Sequence, residues 1–112
     1  MDSLLGHNKL GASWEGIALE QAISILTVKT PYFWKTHTGV ELDLLWHQNP
    51  KRWAIETKYA DAPRMTLSLH SVLKDLRLHH IWIIYPGNQK YRIDERASVV
   101  PLEQISSIVS EV

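Results

Sequence analysis

The chain has 112 residues, 45% of them apolar, with five tryptophans, no cysteine, and twelve basic against twelve acidic residues for a formal net charge of zero. That length fits one small domain over residues 1–112 with material for a real core, and without cysteine there is no disulfide, thiolate zinc site or cysteine nucleophile, so a metal would be held by oxygen or imidazole. No run of about 18 apolar residues and no basic-then-apolar leader occurs, which points away from membrane insertion and secretion and towards the cytoplasm, and the charge balance lacks the basic footprint of a dedicated nucleic-acid clamp.

From about Lys9 to Leu26, Trp14, Ala18, Ala22 and Ile25 recur on one stripe with Glu15, Leu19 and Leu26 beside it, a spacing that predicts an amphipathic helix. Tyr32 to His37 and Val40 to His47 are β-rich runs joined at Thr38-Gly39, the pattern of a hairpin. After the polar breaker Gln48-Asn49-Pro50-Lys51, Arg52 to Lys58 predicts a third strand, antiparallel to the second. Symmetry about Asn49-Pro50 sets Asp43 opposite Glu56 and Glu41 opposite Lys58. Period-two alternation then puts Asp43, Leu45, Ala54, Glu56 and Lys58 on one face, with Leu42, Leu44, Trp46, Trp53 and Ile55 on the other.

Asp61-Ala62-Pro63 marks a turn, and Leu69, Val72, Leu73 and Leu76 predict a second helix from about Thr66 to Leu78. His80 to Tyr85 is a nearly continuous apolar run stopped by Pro86-Gly87-Asn88, as expected of a strand buried on both faces and reached by a helical crossover. Ala97 to Val100 adds a short strand, and Leu102, Ile105 and Val109 a short closing helix. The fold class is α/β, with a mixed sheet in the order helix, three strands, helix, strand.

The chemistry concentrates at Asp43, within Val40-Glu41-Leu42-Asp43-Leu44-Leu45, and at Glu56-Thr57-Lys58. Two carboxylates on neighbouring strands can grip a magnesium ion, and a lysine two residues beyond the second shares its strand face, within reach of a phosphate or an attacking water. The alternative for the same residues is a cross-strand salt-bridge cluster on a half-exposed sheet, worth about 0–1 kcal/mol per pair. Glu41 pairing with Lys58 and Glu20 on a polar helix face are weaker candidates, and Gln21 and Tyr59 are potential pocket residues. His70, His79 and His80 lack a third ligand at a useful spacing and fit helix-end or surface positions, while His37 and His47 fit loop or strand-flanking positions. The tryptophans fit core patterns better than base-stacking platforms. Lys35, Lys51, Arg52, Arg64, Lys74 and Arg77 could track a phosphate backbone, and scattered surface charge explains them equally well.

With an acid on the first helix, Asp on the second strand and Glu-x-Lys on the third, the chain resembles the restriction-endonuclease-like PD-(D/E)XK nuclease superfamily. Gly11-Ala12-Ser13-Trp14-Glu15 matches the Gly-x-x-x-Glu helix motif, Asp43 the strand aspartate and Glu56-Thr57-Lys58 the Glu-x-Lys element. A resemblance covering nearly the whole chain is to the C-terminal domain that follows an AAA+ ATPase module in prokaryotic ATPases. It is carried by Leu5 to Gly16, Tyr32-Phe33-Trp34-Lys35-Thr36, Glu41 to Leu45, Ile55-Glu56-Thr57-Lys58-Tyr59 and Tyr85-Pro86-Gly87. The phosphate loop of that module is absent here, so its ATPase activity does not transfer.

The resemblance implies a magnesium- or manganese-dependent nuclease acting on DNA. Asp43, Glu56 and the Thr57 carbonyl would be metal ligands, with Glu15 completing the shell directly or through water, and Lys58 would orient water or stabilise developing charge. A homodimer would supply two cleavage sites. The rival expectation is a non-catalytic nucleic-acid-binding or assembly module attached to an ATPase in longer relatives.

Overall fold

The computed structural model describes residues 4–28, 32–35 and 41–112, with side chains from residue 10 onward except those of 32–35 and 41. Helix α1 (Leu4–Leu26) leads into strands β1 (Tyr32–Lys35), β2 (Glu41–Gln48) and β3 (Lys51–Thr57). Helix α2 (Leu67–Asp75), strands β4 (His80–Tyr85), β5 (Tyr91–Asp94) and β6 (Ala97–Pro101), and a closing 3-10 helix over Leu102–Ile108 follow. The expected helix, three strands, helix, strand order is present; the Thr38-Gly39 turn, His37 and Val40 lie outside the described residues.

The strands form one six-stranded mixed sheet in the order β1-β2-β3-β4-β6-β5. The β2–β3 hairpin has the expected symmetry, with Leu44 against Ile55, Trp46 against Trp53 and Gln48 against Lys51. At its turn Asn49 carries a φ of 59°, a left-handed conformation that asparagine tolerates, while the ring of Pro50 holds the next φ negative. β3 and β4 are parallel, as are β4 and β6, so α2 is the crossover that returns the chain to the same end of the sheet.

Because β4 is buried along its whole length, its two faces build two cores. Trp82 and Ile84 join Leu44, Trp46, Trp53, Ile55 and Val100 beneath α1 and the closing helix. Ile81, Ile83 and Tyr85 join Leu45, Ala54, Val99 and the Leu69, Val72 and Leu73 stripe of α2 on the opposite face. Trp82 lies between Trp46 and Trp53, with centroids 6.4 and 5.4 Å away, so three of the five tryptophans are core material as expected. Each fully buried Leu or Ile contributes about 1.5–3 kcal/mol through removal of apolar surface from water.

Five details depart from the sequence expectation. Leu42 packs with Leu45 rather than with Leu44 and Trp46. Tyr32 faces Leu45 and Trp34 faces Leu42, so three steps on β2 answer two on β1; this bulge turns Leu42 to the other face and contains Asp43. On α1, Ile25 is 40% exposed, and four-residue steps from Ala18 and Ala22 bury Leu26 instead. Thr66 caps α2, its hydroxyl accepting from Leu69 N–H at 3.1 Å, but the helix ends at Asp75 because Arg77 takes a φ of 52° and sends Leu78 into the core. The closing helix has the three-residue period of a 3-10 helix, so Ile105 and Ile108 are buried while Val109 is exposed. The short, half-exposed β5 was not anticipated, since no continuous apolar run marks it.

Candidate functional site

The sequence-predicted site residues converge where β3 ends. Past the parallel pair Thr57 and Ile84, Lys58 N–H still donates to the Ile84 carbonyl at 2.8 Å, which carries the strand's extended direction through the Glu-Thr-Lys segment. Asp43, inside the β2 bulge, binds this segment by side chain. Its Oδ2 accepts from Thr57 N–H at 2.6 Å and from Thr57 Oγ1 at 2.9 Å.

Helix α1 reaches the same place from the sheet's other side. Gly11 is buried, and a β-carbon there would lie 3.3 Å from the Tyr59 ring, so the glycine lets the helix approach closely. One turn later the Trp14 ring lies 5.8 Å from that of Tyr59, and Glu15 Oε2 accepts from Tyr59 N–H at 2.9 Å. The Gly-x-x-x-Glu spacing thereby has a local physical role: positions i and i+4 share a helix face, one making room and the other grasping the strand end.

Glu56 is the electrostatically perturbed member. Its pKa is raised from 4.5 to about 7, chiefly by burial; the Lys58 ammonium opposes the rise, while the Asp43 and Glu15 carboxylates add to it. That mutual influence puts three carboxyls and one ammonium in a single neighbourhood, and a carboxyl poised near neutrality is characteristic of functional sites. Lys58 itself is exposed. The proposed partner of Lys58, Glu41, has a side chain outside the described residues.

Asp43, Glu56 and the Thr57 carbonyl offer the hard oxygen donors that magnesium takes, and magnesium commonly uses only one or two carboxylates with water and phosphate oxygens filling the rest. Among the described residues, no three acidic or imidazole side chains converge as a closed metal cage would require. Asp43 and Glu56 are the two carboxylates that an open magnesium site of that kind would use. Glu15, with one oxygen on Tyr59 N–H, is engaged in holding the strand end.

Gln21 lines a cavity of about 350 Å³ with Trp14, Pro86 and Gly87, on the α1 side. Glu20, His70 and the basic groups Lys51, Arg52, Arg64, Lys74 and Arg77 are exposed, whereas the Lys35 side chain lies outside the described residues. Arg52 Nε donates to His47 Nε2 at 3.0 Å, and its Nη1 donates to the Leu76 carbonyl at 2.9 Å. His79 is exposed and packs its ring edge-on to Trp53, 4.8 Å away. His80 is not the surface residue expected: it is buried and hydrogen-bonded to Ser98 at 2.9 Å, because as the first residue of β4 it is already paired in the sheet, beside Trp53. Sequence reasoning also missed that the Thr57 hydroxyl and the Tyr59 N–H are what the flanking carboxylates hold; the only signal was their adjacency to Glu56 and Lys58.

Residues 10–105 match the protein family described as "Domain of unknown function (DUF4143)". Among curated relatives, the chain is similar to the "Uncharacterized protein Mb2031c" of Mycobacterium bovis and the "Uncharacterized protein Rv2008c" of Mycobacterium tuberculosis, at 37% identity over 97 residues in each case. The aligned segment covers 87% of this chain and 22% of each relative, so the chain spans about a fifth of the length of the curated relatives it matches. No solved structure matches it. Among the described residues no helix is long and apolar enough to cross a membrane.

Proposed function

We propose that this chain, which belongs to the DUF4143 family of C-terminal domains in AAA-ATPase-like proteins, is a minimal restriction-endonuclease-like domain that hydrolyses DNA phosphodiester bonds with magnesium or manganese. The observation that carries the reading is the gathering of Glu15, Asp43, Glu56 and Lys58 around one strand end, with Glu56 raised to about 7. Asp43, Glu56 and the Thr57 carbonyl would hold the ion. When bound, a divalent cation polarises a phosphoryl oxygen and makes its water more acidic.

The chain's own residues supply the rest. Asp43 and Glu15 clamp the backbone at Thr57 and Tyr59, fixing the direction in which Glu56 and Lys58 project. Glu56, raised to about 7 in the metal-free protein, would release its proton as it takes up the ion, and Lys58 places a positive charge where negative charge gathers on the phosphoryl oxygens. DNA is the proposed substrate, and a homodimer would present two such sites. In longer relatives the ATPase module would deliver or move that DNA.

A non-catalytic binding or assembly role is favoured by one specific observation: Asp43 and Glu15 are both engaged with backbone at the strand end, a duty that needs no metal. Lys58→Ala discriminates, because the lysine ammonium has no hydrogen bond in that clamp. Linear, single-stranded and branched DNA should be incubated with the domain and manganese. The nuclease reading expects cleavage that chelation abolishes and that Lys58→Ala loses with its fold intact. Cleavage undiminished in Lys58→Ala, or none on any of the three substrates, overturns it.

A further inference from the structure

A groove of about 470 Å³ opens at the end of the sheet where parallel strands β3 and β4 begin. Lys51 and Arg52 at the start of β3, Arg77 just past α2, and Arg96 in the turn before β6 line it, all exposed, and Asp75 is the one acid among its described lining residues. Lys51 lies five residues from Glu56 along β3, a rise of about 16 Å, so the groove stands well apart from the Glu56 cluster. Glu95 and Glu111 line the neighbouring cavity that Arg96 also borders, and not this groove.

Three observations give the groove its character. Among the described residues none of the four cations pairs with a carboxylate, the ion pair present being that of Lys90 with Glu111. In keeping with this, the pKa of His79, whose ring also lines the groove, is lowered by partial burial and then by Lys51 and Arg96, with no carboxylate raising it. Second, the cations exceed what the fold requires of them. The last carbonyls of α2 attract positive charge, and one guanidinium answers them: Arg52 Nη1 donates to the Leu76 carbonyl at 2.9 Å while its Nε donates to His47, which fixes the plane of the fork in advance. Third, Arg77 takes a φ of 52° at the position after a helix that glycine usually fills, where Leu78 N–H turns back to the Leu73 carbonyl at 3.1 Å. A guanidinium kept there at a conformational cost is explained by what it meets in the groove rather than by the turn itself.

We propose that this groove holds the phosphate backbone of a nucleic acid, with Lys51, Arg77 and Arg96 against phosphate oxygens and the pinned guanidinium of Arg52 beside them. The cations come from separate elements of the fold, which suits a chain of single negative charges at regular intervals better than one compact anion. Guanidinium forks match phosphate oxygens, and contacts to phosphate carry no base information, so the grip is independent of sequence. About 16 Å from Glu56, it holds and aligns the strand and takes no part in chemistry at the cluster. It does not rest on the nuclease reading, since a binding module would use the same groove.

The test follows the fluorescence anisotropy of a labelled single-stranded deoxyoligonucleotide over a range of salt concentrations, with chelator present so that the strand stays intact. The wild-type domain should bind it, with affinity falling as salt rises. Lys51→Ala and Arg77→Gly, the second also relieving the backbone at its position, should each weaken binding about fivefold at about 0.1 M salt and reduce the slope of log affinity against log salt by about 0.7. Arg92→Ala removes a like charge from outside the groove and should change neither. Absence of binding at low salt, affinity and slope unchanged in both groove variants, or an equal loss in Arg92→Ala overturns the proposal. Binding of polyglutamate, but not of the oligonucleotide, through Lys51 and Arg77 also overturns it, in favour of an acidic protein partner. Cleavage by wild type against Lys58→Ala judges the Glu56 cluster separately, so failure of the groove and failure of the cluster are told apart.

Discussion

Replacing Glu56 with glutamine tests the electrostatics of the site without removing its shape. In the folded protein Glu56 titrates near 7 against an ordinary 4.5, because burial and the Asp43 and Glu15 carboxylates outweigh Lys58. A folded pKa above the unfolded one means stability that is fully present below pH 4.5 and lost as pH rises through 7. At about 1.4 kcal/mol per unit, the penalty carried by the ionised wild type above neutrality is about 3 kcal/mol.

Glu56→Gln removes that penalty. At about pH 8 the variant should be more stable than wild type by up to about 3 kcal/mol, and at about pH 4 the two should converge. His80 has the opposite sign: with its pKa lowered from 6.5 to about 4, its contribution is present above 6.5 and lost as pH falls through 4. Between those ranges the two slopes oppose each other, so the wild-type profile is flatter than that of the variant, in which the His80 slope stands alone. Urea unfolding followed by tryptophan fluorescence, with chelator present, measures both profiles. A difference between wild type and Glu56→Gln that stays constant from acid to mild base refutes the reasoning, since Glu56 would then be an ordinary solvated carboxyl.

Asp43→Asn retains an acceptor for Thr57 N–H but removes one of the charges raising Glu56, so the Glu56 pKa should fall, read by carboxyl carbon NMR titration; an unchanged value places Asp43 too far away to matter. Manganese affinity should rise with pH up to about 7 and level off above it, because Glu56 must lose its proton to become a ligand; calorimetry at several pH values would expose a flat dependence. Gly87→Ala should destabilise the fold by about 1–3 kcal/mol, since overpacked side chains must shift. The added carbon would run into the Tyr85 ring, whose hydroxyl is held by the Gln89 backbone at 2.6 and 3.0 Å; unchanged urea unfolding would contradict that contact. Arg77→Gly, relieving a φ of 52°, should leave stability unchanged or raise it by up to about 1 kcal/mol, whereas a marked loss would show that the Arg77 side chain is needed.

The hairpin register was legible because Asn49-Pro50 admits a tight turn, and a hairpin symmetric about it sets Leu44 against Ile55. The double burial of β4 was legible from six residues with scarcely a polar break. Leu42 was not, because a bulge is set by how β1 pairs with β2, and nothing local to Leu42 announces it. The same bulge shapes the site: Asp43 reaches Thr57 from inside it, so its side chain contacts the strand backbone as well as neighbouring Glu56 electrostatically. The acids themselves were visible from spacing, but Glu15 grasping Tyr59 N–H depends on Gly11 allowing two elements distant in sequence to touch. His80 was misplaced because adjacent histidines at a strand start read alike, although one faces solvent and the other lies over Ser98.

The central claim is that the Glu56 cluster is a live divalent-metal site, and manganese titration by calorimetry at about pH 8, where Glu56 is ionised, addresses it most directly. The account predicts saturable binding to the wild-type domain that is lost in a folded Glu56→Ala variant and weakened in Asp43→Asn. Indistinguishable heats from wild type and Glu56→Ala would contradict it and leave the clustered carboxylates as a clamp for the end of β3.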